Sequence, residues 1–106
     1  MTSHPKTAEA FDIMSEKIHH AAEVLKAMSS ETRLKILCAL SEGELPVNQL
    51  AELTQQSPSA VSQHLAKLRA ANLVEARRDA QTIYYRCVNG IGRSLVDTLC
   101  DYYQSE

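Results

Sequence analysis

A chain of 106 residues, 44% hydrophobic and 23% charged, has the size and composition of one folded domain with a modest core, which excludes a disordered chain and a two-domain enzyme. No apolar run approaches the roughly 18–20 residues of a membrane span, and the opening MTSHPKTAEAFD lacks the apolar stretch of a signal peptide, so a cytoplasmic protein without a membrane partner is expected. The formal net charge of −2 excludes a uniformly basic nucleic-acid coat, leaving any such contact to a local patch.

Residues 1–6 are expected to fray. From about Thr7 to Met28, the residues Phe11, Met14, Ile18, Ala21, Leu25 and Met28 recur every three or four positions, which predicts a long amphipathic helix. Ser30 is a suitable N-cap for a second helix to Leu40, with Leu34, Leu37, Cys38 and Leu40 facing inward and Gly43 just past its end. Glu44-Leu45-Pro46 reads as a short connector to a third helix, about Val47 to Leu53, whose apolar residues are Val47, Leu50 and Leu53. After Thr54–Ser57 comes a fourth helix, with Ser57 as N-cap and Pro58 at the first helical position, where no backbone N–H is needed. Two short helices joined by so tight a turn predict a helix-turn-helix, whose second helix enters the DNA major groove.

The fourth helix has two faces. Val61, Leu65 and Leu68 point to a core, whereas Ser59, Ser62, Gln63, His64 and Lys67 fall largely on the other side. Small hydroxyls and an amide suit close approach to base edges and phosphates; the plainer alternative is a merely solvated face. Asn72 tolerates the left-handed conformation that ends a helix. Leu73–Arg78 and Thr82–Val88 then read as two strands around Asp79-Ala80-Gln81, and Asn89-Gly90 breaks the sheet. Across 57–88 five basic side chains face two acidic ones, a net of +3 that leaves −5 to the rest of the chain. Ile91, Leu95, Val96, Leu99 and Tyr103 mark a last helix ending near Tyr103.

The expected fold is therefore mainly α (α+β): one winged helix-turn-helix domain over 1–106, with five helices and a two-stranded β-hairpin wing. The DNA-reading unit spans about 45–88. The outer helices, about 7–28 and 91–103, carry more apolar surface than so small a core covers. Pairing them with their copies would give a two-fold homodimer matched to palindromic double-stranded operator DNA.

These residues also carry a family resemblance. LKAMSSETRLKILCAL (Leu25–Leu40), Val47-x-x-Leu50-Ala51, Ser59-Ala60-Val61-Ser62-Gln63-His64-Leu65 and Leu68-Arg69 resemble the ArsR/SmtB family of winged-helix repressors. RRDAQTIYY, Arg77–Tyr85, is similar to the wing of its NolR/HlyU branch. The resemblance covers about residues 20–103 and implies a homodimeric transcriptional repressor. It implies that Ser57, Ser59, Ser62, Gln63 and His64 approach the major groove, and that Lys67, Arg77, Arg78 and Gln81 meet the backbone or the flanking minor groove. Pro58 departs from the branch, which often has a polar residue there, so operator preference does not carry over. For His64 three roles stay open: a phosphate contact, a satisfied half-buried residue, or a pH-sensitive contact, the neutral form being expected.

Many relatives respond to metals, but the thiolate box of the third helix would need cysteines where this chain reads ELPVNQL. The last helix offers Asp97, Cys100 and Asp101 without a histidine, and His19-His20 are adjacent, so their rings diverge by about 100°. No metal or other cofactor is expected. Three cysteines, an odd number without close pairing, are expected as reduced thiols. Cys38 matches a cysteine that redox- and persulfide-responsive relatives pair with one near the end of the last helix. That second position falls at Gln104 here, one turn beyond Cys100, so a Cys38–Cys100 switch and inert buried thiols both stay open, with Cys87 expected in the core. No nucleophile–base constellation or phosphate-binding glycine loop points to an enzyme. The alternative to DNA binding is a winged helix used as a protein-interaction module.

Overall fold

The computed structural model describes residues 7–104, so the expectation for residues 1–6 lies outside the described residues. The elements run α1 (Thr7–Met28), α2 (Glu31–Leu40), β1 (Leu45–Pro46), α3 (Val47–Thr54), α4 (Pro58–Ala70), β2 (Val74–Asp79), β3 (Thr82–Cys87) and α5 (Ile91–Gln104). Five helices and a hairpin thus form where the apolar spacing places them.

The two-stranded hairpin forms as expected, but the Glu44-Leu45-Pro46 connector adds a third strand to it. Leu45 pairs with Tyr85 and Pro46 with Tyr84, giving an antiparallel three-stranded sheet in the order β1-β3-β2. Two residues are too few for a strand period to show, and Pro46 argues locally against a strand. An edge position tolerates it because no inward N–H is required there. The hairpin itself runs from Val74↔Cys87 to Asp79↔Thr82, with Ala80 in the turn at φ 57°.

Local capping follows the residue chemistry. Ser30 Oγ accepts the Arg33 backbone N–H at 3.3 Å, and Ser57 Oγ accepts that of Ala60 at 3.1 Å. Gln55 (φ 57°) closes α3 and Asn72 (φ 65°) follows α4, both left-handed. Ile36, Leu37 and Leu40 of α2, Leu50 of α3, Val61, Leu65 and Leu68 of α4, Val74 of β2 and Val96 of α5 are fully buried and form one core. That core seats the recognition helix against the sheet. Gly92 lets α5 approach β2's entry, since a Cβ there would stand 2.4 Å from a Leu73 methyl.

The outer helices leave much of their apolar face outside the core, as their excess of apolar residues leads one to expect. Of α1 only Val24 and Met28 are buried, while Phe11, Met14, Ile18 and Leu25 are exposed. On α5, Ile91, Leu99 and Tyr103 are exposed, as is Leu53 of α3. On α2, Ile36 is buried, whereas Leu34 and Cys38 are only half-buried. Spacing identifies a face but not what covers it, and among the described residues nothing covers Phe11, Ile18 or Tyr103.

Candidate nucleic-acid interface

On α4, the buried line Val61, Leu65 and Leu68 fixes the helix's rotation and leaves Ser59, Ser62, Gln63 and Lys67 exposed on its outer side. Ser57 is exposed as well, although its oxygen already serves as the helix cap. No acidic residue occurs in α4, and its basic residues Lys67 and Arg69 lie in the last turn. The outer surface of this helix is therefore polar, compact and non-negative, as approach to DNA requires.

His64 stands at the edge of that surface and is half-buried. Its Nδ1 accepts a hydrogen bond from Arg33 Nε at 3.2 Å. Burial, then the neighbouring Arg33 and Lys67 charges, push its pKa below the usual 6.5, so the ring is neutral at physiological pH. Arg33, 31 residues away in sequence, carries no motif signal that links it to this helix.

The wing brings a second set together. Arg78 and Gln81 are exposed, and among the described residues the Arg78 side chain makes no hydrogen bond or ion pair. Arg77 lies one residue along the strand and so on the opposite face. Its guanidinium grips the Glu44 carboxylate through Nε and Nη2 and lies 4.8 Å over the Tyr84 ring. That bond, with the Arg77 charge, holds the Glu44 carboxyl below its usual range, and Glu44 in turn raises the Arg77 pKa. Arg86 pairs with Glu75 at 2.7 Å. Two of the five basic charges of 57–88 are thus matched by carboxylates, which leaves Lys67, Arg69 and Arg78 to set the local field. Glu44 had no sequence signal, because its partner is 33 residues away.

Away from the α4 and wing residues just named, Cys100 of α5 and Cys38 of α2 place their sulfurs in hydrogen-bonding contact 3.2 Å apart. Burial, the hydrogen bond between the two thiols and the neighbouring thiol charges push the Cys38 pKa up to about 11. Cys87 is buried in the core, donates to Leu37 O at 3.7 Å, and has its pKa raised by burial. Among the described residues no three His, Cys, Asp or Glu side chains cluster so as to hold a metal ion. No described helix is long and apolar enough to cross a membrane.

The comparisons with known proteins decide the family. Residues 30–76, from the cap of α2 into the wing, match the family described as bacterial regulatory protein, arsR family. Nodulation protein NolR of Rhizobium meliloti is 48% identical over 83 residues, 78% of this chain and 68% of that one. The chain belongs to the ArsR family. It is a DNA-binding transcriptional regulator. The transcriptional activator HlyU of Vibrio cholerae is 40% identical over 90 residues, 85% of this chain and 83% of that one. Reduced HlyU superposes with a TM-score of 0.81, covering 85% of this chain and 95% of that one. A homodimeric winged helix-turn-helix DNA-binding domain from Mycobacterium bovis, 26% identical, superposes with a TM-score of 0.75 over 100% of this chain and 93% of that one.

Proposed function

We propose that this regulator is a homodimeric repressor that places one α4 in each half of a palindromic operator. The observation that carries this reading is the exposed Ser59, Ser62, Gln63 and Lys67 surface on a helix rotated by its buried Val61–Leu65–Leu68 line. Ser57, Ser59, Ser62, Gln63 and His64 face the major groove. Lys67, Arg78 and Gln81 meet phosphates or the flanking minor groove, and Arg77 joins them on release from Glu44. The homodimer is supported by the uncovered apolar faces of α1 and α5 and by the homodimeric state named for the M. bovis domain. A soluble, cytoplasmic protein follows from this role.

We further propose that the Cys38–Cys100 dithiol regulates binding, because its sulfurs already stand in contact. A disulfide there would draw α2 and α5 together and alter how the dimer helix seats on the reading head.

The test is selection of duplexes from a random-sequence pool, followed by binding measurements on the selected and a scrambled duplex. Enrichment of a palindrome whose half-sites lie about one helical turn apart is expected. Gln63→Ala should weaken the selected duplex more than the scrambled one, whereas Arg78→Ala should weaken both alike. Equal losses for both variants on both duplexes would sink this division of labour.

A further inference from the structure

Arg33, in the first turn of α2, joins two other helices at once. Its Nη1 donates to Ala27 O near the end of α1 at 3.0 Å, and its Nε donates to Nδ1 of His64 on the recognition helix at 3.2 Å. A guanidinium has donors only. Nδ1 must therefore be unprotonated, and the neutral ring carries its proton on Nε2. That second nitrogen has no hydrogen-bond partner among the described residues. It is also not buried, since among them the buried side-chain polar atom without a hydrogen bond is Nε of Arg93. The ring thus shows solvent one donor, at the edge of the surface that carries exposed Gln63 and Lys67.

We propose that Arg33 is a positioning residue for DNA reading: it fixes His64 as the Nε2-protonated ring, so that this point of α4 offers DNA a single hydrogen-bond donor. The complementary group is an acceptor, either a phosphate oxygen or an acceptor atom on a base edge such as purine N7 or guanine O6. A ring free to turn would present Cδ2–H, Nδ1 or Nε2 in turn and would specify nothing. Arg33 removes that freedom. Through Ala27 O it also references the donor to the end of α1, the helix proposed to pair across the dimer. The inference rests on the reading of α4 as the DNA-facing helix.

The test combines imidazole nitrogen NMR with a double-mutant cycle on the duplex that the wild-type protein enriches from a random pool. The wild-type spectrum should show His64 protonated on Nε2. Arg33→Met keeps the apolar stem and removes both donors; it should weaken binding by roughly fivefold, the size of one hydrogen bond. His64→Gln keeps an amide donor without needing Arg33, and in that background Arg33→Met should cost no more than about twofold. Any loss from the freed Ala27 carbonyl occurs in both backgrounds and cancels in the cycle. His64→Phe separates the two acceptors: equal loss on selected and scrambled duplexes marks a phosphate, and a larger loss on the selected duplex marks a base. A ring protonated on Nδ1, equal Arg33→Met losses in both backgrounds, or no loss with His64→Phe would overturn the proposal while leaving α4 as the reading helix. Failure of the wild-type protein to enrich any duplex would overturn the reading itself, and the proposal with it.

Discussion

Cys100 of α5 donates its thiol hydrogen to Cys38 of α2 across 3.2 Å, so two residues 62 apart in sequence are poised to form one bond. Contact at this distance requires little backbone movement for a disulfide, whose geometry is otherwise demanding. Treatment with diamide should therefore link Cys38 to Cys100, and peptide mapping should find the pair joined with Cys87 still a free thiol. Operator affinity should fall by about tenfold or more, within the coupling of roughly 1–3 kcal/mol usual between linked sites. Cys100→Ser should abolish both effects. An oxidised protein with unchanged affinity would separate the bond from regulation.

The same contact makes Cys38 a slow thiol at neutral pH. Burial and the neighbouring thiols disfavour its thiolate and push the pKa up to about 11, and the thiolate is the reactive form. Iodoacetamide labelling of Cys38 should rise by about tenfold per pH unit above neutrality, with no plateau near the ordinary thiol value. The sign for stability follows from linkage. A folded pKa above the unfolded 9.0 means that this contribution is complete below pH 9 and is lost as pH rises through the folded value. A labelling plateau at pH 9 would contradict the shielded thiol.

Glu44 restrains Arg77. Arg77 is exposed and Glu44 only half-buried, so the pair matters less for stability than for the charge shown to DNA. Glu44→Gln should leave the melting temperature nearly unchanged. It should strengthen binding to scrambled DNA and steepen the dependence of log affinity on log salt by about 0.9, the value of one further phosphate contact. Arg77→Ala in the Glu44→Gln background should return the slope to its starting value. An unaltered slope in Glu44→Gln would mean that Arg77 already leaves Glu44 when DNA binds.

How far the sequence reached depends on the range of each interaction. Helices announced themselves through spacing, as in Val61, Leu65 and Leu68, because a helical face is written within a few turns. Asn72 and Ser57 were legible for the same reason: αL tolerance and capping are local chemistry. Strand β1 was not, because two residues show no period and Pro46 speaks against a strand unless its edge position is known. Arg33 and Glu44 were missed because their partners lie 31 and 33 residues away. Cys100 was weighed as a partner for Cys38, but only the packing of α5 on α2 brings the sulfurs together. The spacing in α1 shows an amphipathic helix, yet among the described residues only Val24 and Met28 of it are buried.

That uncovered face gives the last prediction. Ile18 of α1 is 50% exposed and Leu99 of α5 is 40% exposed, on helices that leave Phe11, Met14, Leu25 and Tyr103 uncovered as well. So much exposed apolar side chain on two helices of one small domain is characteristic of an interface. Neither Ile18 nor Leu99 belongs to the buried core, so helix content and the core should survive Ile18→Glu and Leu99→Glu. A charge placed in the centre of a symmetric interface appears twice and faces its own copy, which is strongly unfavourable. Sedimentation should show a dimer for the wild-type protein and a monomer for each variant. Losing one of two linked reading heads should cost at least about 100-fold on a palindrome. It should cost far less on a single half-site. A wild-type protein that sediments as a monomer at micromolar concentration, yet binds the palindrome as tightly as before, would leave the outer helices without this role.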